Sequence, residues 1–471
     1  MERRDFLKAA GLFSLGGMIA GNTFLRKDLF SGKTINGRKP NIIFILADDL
    51  GLGEVSCYGS DNYRTPNIDK LAKGGTRFTH AYTPSLCGPS RTNILSGRYG
   101  FRTGGTNQDA VGRIEPENEV LTPTVLKSAG YATAAIGKWS QLPLEPNDFG
   151  FDYSLKFAGS GKYWNTQKKF KGYNVNGKTV ALADNEYMPD IMHKHVVDFM
   201  TAHRDQPFYI HYAMSHIHSE ILRTPDSHDG PKNYYTDNIT YMDKLVGELV
   251  SEVDRLKLRE NTVIIFFSDN GAAKGHAASA TIGGKELSGC KGTMLEGGSV
   301  EPLIINWPGV TPAGKVCDEL IDSTDFLPTF AEIAGVKVPQ DRPIDGHSFN
   351  SRIKGENAKL RDWVFIQLGE KYYVRSKSFK LTESGELFDM KNAPFEEIPV
   401  PADTKNPEAI AARKSLKAAL DQLNPTGGII DGGDGTGRHA KKGEKGKVKD
   451  KKVKPGKEKK NKKVEVEEKD E

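Results

Sequence analysis

Asn41-Ile42-Ile43-Phe44-Ile45-Leu46-Ala47-Asp48-Asp49 is the stretch that decides the fold class. Six apolar residues follow one another without a break and leave no polar face for water. Such a run reads as a strand buried on both sides, which is the mark of a parallel sheet covered by helices. Similar strand-like runs return at residues 131–137, at 208–213 (FYIHYA) and at 262–267 (TVIIFF). Helical patterns separate them. Thr65-Pro66 open one that stops at Gly74-Gly75, Thr122-Pro123 open another, and residues 189–199 and 234–256 carry two more. The alternation predicts an α/β fold: a large mixed, mostly parallel sheet sandwiched by helices. After a helix at 325–334 the texture changes. Short strand-like pieces at 363–368, 372–375, 379–382 and 386–388 predict a small C-terminal antiparallel sheet, followed by a helix at 407–423.

Ligands of open α/β sheets bind beyond the carboxyl ends of the strands, so the polar residues there are the informative ones. The first run ends in Asp48-Asp49 and the second in Lys138. The third ends near His216 and His218, and the fourth, after Ser268, in Asp269-Asn270. One such residue is an ordinary turn former or cap; four strands delivering them to one edge predict a shared site. Asp48, Asp49, Asp269 and Asn270 offer only oxygen atoms, which suits a hard ion, calcium with magnesium as the alternative, rather than zinc. Three converging carboxylates with no cation among them would repel one another.

Cys87-Gly88-Pro89-Ser90-Arg91 follows the turn-rich Thr83-Pro84-Ser85 and opens a short helix. Pro89 suits the first turn of a helix, which sets Cys87 at the N-terminus, where free amides favour negative charge. With Arg91 one turn on, a lowered thiol pKa and a reactive sulfur are expected. The ordinary alternative is a small buried cysteine. The residues alone lead to a reactive thiolate and no further.

The pentapeptide resembles the Cys-x-Pro-Ser-Arg signature of type I sulfatases, members of the alkaline phosphatase superfamily. The resemblance implies that Cys87 is oxidised to formylglycine by a maturation enzyme. The hydrate of that aldehyde attacks sulfur, and its second oxygen later expels sulfate. It further implies that Asp48, Asp49, Asp269 and Asn270, with residue 87, hold calcium. Arg91, Lys138 and Lys291 (in Gly289-Cys290-Lys291-Gly292) would stabilise the transferring group, and Lys138 and Lys291 would also bind the sulfate. His218, in Ser215-His216-Ile217-His218-Ser219-Glu220, matches the histidine that protonates the leaving group, with His216 the other candidate for substrate binding. One departure stands out: Ser140 occupies the place of a family histidine after Gly137-Lys138-Trp139, and a serine cannot act as a base near neutral pH. The implied activity is hydrolysis of a sulfated carbohydrate or aryl sulfate. The alternatives are a phosphonate or phosphodiester hydrolase, or an exported sulfoglycan-binding protein with impaired turnover. Specificity is expected from residues 149–173, 220–235 and 272–287.

Length, charge and the termini complete the reading. The 471 residues carry a formal charge of +5, but residues 441–471 hold 14 Lys against 8 acidic residues, so the rest is close to neutral and offers no nucleic-acid-binding face. Four cysteines at wide spacing make neither a disulfide framework nor a zinc site. Arg3-Arg4-Asp5-Phe6-Leu7-Lys8 ahead of a short apolar run reads as a twin-arginine-like signal, implying export machinery and a periplasmic or extracellular site; the alternative is an uncleaved segment that anchors the protein to the membrane. The expected organisation is a signal segment at 1–36, a catalytic α/β domain at 38–345, a small sheet-plus-helix unit at 346–424, and a Gly-rich linker with a Lys/Glu tail at 425–471.

Overall fold

The computed structural model describes residues 37–426 apart from 109, 111–113, 140–141, 169 and 229–232. The signal segment, Ser140 and the tail from residue 427 onwards lie outside the described residues. Among the described residues two sheets form. The larger contains β1 (Asn41–Ala47), β2 (Thr76–Tyr82), β3 (Ala132–Lys138), β4 (Tyr153–Phe157), β5 (Gly172–Val175), β6 (Lys178–Ala181), β7 (Phe208–Ala213), β8 (Thr262–Ser268), β9 (Val300–Asn306) and β10 (Lys315–Asp322). Its order is β10-β2-β9-β8-β1-β7-β3-β4-β5-β6. The centre β8-β1-β7-β3-β4 is parallel throughout, while β9 and the β5–β6 hairpin run antiparallel to their neighbours.

The apolar run of β1 is divided between two cores because side chains alternate across a strand. Ile43, Ile45 and Ala47 pack with the helices Pro66–Lys73, Met188–Ala202 and Tyr234–Arg255. Ile42, Phe44 and Leu46 pack with Cys87–Ser96, Thr122–Lys127 and Phe326–Ala334 on the other face. Both faces are therefore dry, as the unbroken pattern predicted.

The smaller sheet is a sequential antiparallel meander of β11 (Val364–Leu368), β12 (Lys371–Arg375), β13 (Phe379–Thr382), β14 (Leu387–Asp389) and β15 (Ile398–Val400), backed by the helix Pro407–Leu423. Phe365, Val374, Leu381, Leu416 and Ala419 share a core there with Tyr99 and Phe101. Two buried ion pairs tie the sheets together: Arg375 Nε donates to Glu296 Oε1 at 2.8 Å, and Arg361 Nε to Asp325 Oδ2 at 2.9 Å.

Candidate active site

The three ladders of β8-β1-β7-β3 are all parallel, so the carboxyl ends of these four strands share one edge. Backbone bonds carry the β1–β7 ladder past its last paired residues: the Asp48 amide donates to His216 O at 2.8 Å, and the Ile217 amide to Asp48 O at 2.6 Å. Asp49 then turns sharply with φ +65° and donates its amide to Asp269 Oδ1 at 3.2 Å. Gly137, just before Lys138, has φ +118°, and a Cβ there would lie 1.9 Å from Ala213 O. Only glycine lets β3 and β7 close up at the point where Lys138 enters the site.

Three cation–carboxylate contacts organise the centre. Lys138 Nζ donates to both oxygens of Asp48 at 2.7 and 2.8 Å. Arg91 Nε donates to Asp269 Oδ2 at 2.7 Å. Lys291 Nζ donates to Asp49 Oδ1 at 2.5 Å, from a loop pinned by the Lys291 amide on Ala272 O and the Gly292 amide on Ser85 O. Burial works against the charge of Lys138, yet Asp48 holds it protonated and above the ordinary lysine range. Lys291 is likewise held up by Asp49 against its burial. His218 Nε2 lies 3.9 Å from Asp49 Oδ2 and is partly open to solvent.

Cys87 begins the helix Cys87–Ser96, as its sequence context predicted, and its sulfur falls within 4.8 Å of carboxylate oxygens of Asp48 and Asp269. The expected lowering of its pKa is not found. Burial pushes the thiol up; Lys138 pulls it down, but Asp269 and Asp48 raise it further. Burial and the two carboxylates outweigh the neighbouring lysines at this position. The structure therefore brings Asp48, Asp49, Cys87, Arg91, Lys138, His218, Asp269, Asn270 and Lys291 to one place.

His216 does not join them, and the expectation that it contacts substrate needs correcting. It is fully buried, with its ring 5.5 Å from that of Tyr163 and Nε2 3.1 Å from Tyr187 Oη. Burial pushes it down to about 3, so it stays neutral. The two histidines do not share an orientation because the chain leaves its extended path after Ala213. Two neighbours, Gln108 and Glu54, escaped the sequence reading, and a third, Tyr163, lies in the 149–173 segment expected to set specificity. Gln108 Oε1 accepts from the Gly88 amide at 3.0 Å and lies 3.3 Å from Cys87 Sγ. Tyr163 Oη donates to Ser215 O and His218 O at 3.0 and 2.9 Å, fixing the histidine loop. Glu54, packed beneath the site, accepts from the Gly51 amide at 2.6 Å and is bonded to Tyr235 Oη. Gln108 had no spacing signal, and nothing in the 149–173 segment marked Tyr163 as the residue that holds the histidine loop.

Burial pushes Glu54 up to about 8, with Asp49 adding a smaller push in the same direction and the bonds from Tyr235 and Gly51 opposing. The folded chain thus keeps a proton that the unfolded chain releases near the ordinary value of 4.5, and stability falls as pH rises from there towards 8. Glu54→Gln is expected to match the parent protein in unfolding free energy near pH 4.5 and to exceed it by on the order of 3 kcal/mol at pH 8. Denaturation curves across that range check this; parallel profiles for the two proteins would show Glu54 to be ionised in the fold.

Asp48, Asp49, Asp269 and Asn270 suit a hard cation by donor type. The repulsion between carboxylates is already relieved by Arg91, Lys138 and Lys291, so charge balance alone does not demand an ion. A second observation does fit one: among the described residues Asn270 Oδ1 is buried without a hydrogen-bond partner, while its Nδ2 is fixed on Asp49 Oδ1 at 2.9 Å. Among the described residues, Arg91 also keeps two buried terminal nitrogens with no acceptor within hydrogen-bond range. An unpaired acceptor beside unpaired donors fits both a cation and an anion.

The sulfatase family model matches residues 40–336, and a second model, described as N-sulphoglucosamine sulphohydrolase, C-terminal, matches residues 290–425. Human arylsulfatase D is 30% identical, covering 76% of this chain and 75% of its own length. The N-acetylgalactosamine-6-sulfatase of Sus scrofa is 33% identical, covering 67% of this chain and 66% of its own. The chain thus spans two thirds to three quarters of the length of these relatives. Among solved structures, Ps i-CgsB in complex with k-i-k-neocarrahexaose superposes with a TM-score of 0.72 at 27% identity, covering 82% of this chain and 93% of that one. The match runs from the first strand of the large sheet to the helix that closes its far face, and the chain belongs to the sulfatase family.

Proposed function

We propose that this protein hydrolyses sulfate esters of a sulfated carbohydrate or an aryl alcohol. The observation that carries the reading is the convergence of Cys87, at a helix start, with three carboxylates and two lysines at one sheet edge. Residue 87, as formylglycine, would supply the oxygen nucleophile, and Asp48, Asp49, Asp269 and Asn270 with residue 87 would hold a calcium ion, whose contribution there would be Lewis acidity.

The chain's own residues have separable tasks. Arg91 orients Asp269 and offers its free nitrogens to the negative charge that builds at residue 87. Lys138 and Lys291, both protonated, hold sulfate oxygens from two sides. His218, placed at the mouth with Nδ1 on Ser219 O at 2.6 Å, delivers a proton from Nε2 to the leaving oxygen. The catalytic unit corresponds to residues 38–345, with 346–424 buttressing it through the Arg375–Glu296 and Arg361–Asp325 pairs. The leader at residues 1–36 is read as sending a folded, modified protein out of the cytoplasm after a maturation enzyme has acted on Cys87. The same aldehyde chemistry serves phosphonate and phosphodiester hydrolysis, so the substrate panel must include those esters.

Calcium removal tests the reading. Dialysis against EGTA is expected to lower aryl-sulfate turnover at least about 100-fold, with calcium restoring it and magnesium restoring less, because oxygen sites of this kind are graded by cation size. Full activity after chelation would remove the metal from the mechanism. Faster turnover of phosphonate than of sulfate esters would reassign the substrate class.

A further inference from the structure

Beyond the reacting centre the chain builds a second, open cleft of about 540 Å³, lined among others by Trp164, Asp184, Leu222, Arg223 and Tyr234. It is joined to the site through the His218 loop. Tyr163 holds His218 O at 2.9 Å, and Gly161 packs so closely beneath that loop that a Cβ would lie 2.2 Å from Ser219 O. Trp164 is next in the chain. Its indole Nε1 donates to Arg223 O at 2.8 Å, and its ring lies 4.8 Å from that of Tyr187, so the aromatic plane is fixed at the cleft wall.

The other groups differ in chemistry. Arg223 is exposed, spends one terminal nitrogen on Ser227 O at 3.3 Å, and forms no salt bridge among the described residues. Asp184 is exposed and held by Asn165 Nδ2 at 2.6 Å on a single oxygen, leaving the other for a donor. A fixed aromatic plane, a cation with unused donors and a carboxylate acceptor, set one loop away from a leaving-group histidine, form a set that matches a sugar carrying an acidic substituent. The plane takes the C–H face of the ring, Asp184 takes hydroxyl hydrogens, and the guanidinium takes a sulfate or carboxylate.

We propose that this cleft is a carbohydrate subsite that holds the sugar adjoining the sulfate-bearing one, with Arg223 pairing to a second anionic group on that neighbour. The inference rests on the sulfatase reading above and narrows it to an oligosaccharide with more than one acidic group. A compact aryl sulfate reaches the strand-end centre without entering the cleft.

The test compares three substrates: 4-nitrocatechol sulfate, a disaccharide with one sulfate ester, and the same disaccharide with a second sulfate on its other sugar. Trp164→Ala is expected to lower the ratio of disaccharide to aryl-sulfate kcat/KM by about tenfold or more, mainly through KM, as expected for lost ground-state contacts. Arg223→Gln is expected to lower the preference for the doubly sulfated sugar by about tenfold or more, the loss of one charge-assisted contact, and Arg223→Lys to retain part of it. Equal losses on all three substrates would make these residues structural supports and overturn the inference. So would a parent protein that turns over the aryl sulfate but shows no preference for the second sulfate. A parent protein inactive on every sulfate ester would instead overturn the sulfatase reading, and the subsite with it.

Discussion

Cys87→Ala is expected to abolish sulfate-ester hydrolysis, by a factor on the order of 10⁴ or more in kcat, since removing a covalent nucleophile removes the pathway rather than one contact. Stability should fall by no more than about 1 kcal/mol, because only a small side chain with one weak contact to Gln108 is lost. The contrast separates chemistry from folding. A sharper version leaves the sequence alone. Burial and the acids around Cys87 push its thiol up, so an unmodified protein offers little thiolate near neutral pH. Preparations made with and without the maturation enzyme should therefore differ in activity in proportion to the aldehyde fraction at residue 87, read by mass spectrometry of the peptide that contains it. Full activity in a preparation with only thiol at residue 87, or in Cys87→Ala, would remove that residue as the precursor of the nucleophile.

The centre of the fold was readable because its strands are dry on both faces. β1 and β8 are apolar runs with no alternative use, and their ends announce themselves with Asp48-Asp49 and Asp269-Asn270. β2 and β9 carried no such signal. Thr76–Tyr82 mixes arginine, histidine and threonine with its apolar residues, since three of its positions are only partly covered. β9 contains Glu301 and Pro302, residues that argue against a central strand. The structure accommodates Pro302 at an irregularity: β8 pairs only with 304–306, and the β2–β9 register shifts between Phe78 and Ala81. Tyr58 Oη fills part of that gap, accepting from the Leu303 amide and lying 2.8 Å from both Leu303 O and Phe78 O. The β5–β6 hairpin, by contrast, had a legible turn in Asn176-Gly177, both with positive φ, but its strands, one partly buried and one mostly exposed, lack apolar alternation. At the site, residue types and order along the chain were legible, and side-chain direction was not. His216 and His218 differ in burial only because the loop after β7 turns, and the Cys87 thiol is governed by neighbours far away in sequence.

Arg91→Met is expected to produce the largest loss of stability at the centre, about 3–5 kcal/mol, because it strands the buried Asp269 carboxylate without its guanidinium. Arg91 is fully buried, with Nε 2.7 Å from Asp269 Oδ2 and a terminal nitrogen 3.9 Å from Asp48 Oδ1. Lys138 is committed to Asp48 and stands 4.0 Å from Asp269, so it covers the loss only in part. On the proposed function the pair serves the chemistry rather than stability, and a double variant separates the two. Arg91→Met with Asp269→Leu removes both charges, leaves Asp48 on Lys138 and Asp49 on Lys291, and should recover most of the lost stability. The coupling between the two sites should be at least about 2 kcal/mol in urea unfolding in the presence of EGTA, which keeps any bound cation out of the comparison. Activity should stay lost in the single and the double variant alike, since both lack the group that orients Asp269 and meets the charge at residue 87. Stability restored without activity would make Arg91–Asp269 a functional device that the fold tolerates; a double variant as unstable as the single one would make it a packing element of the sheet edge.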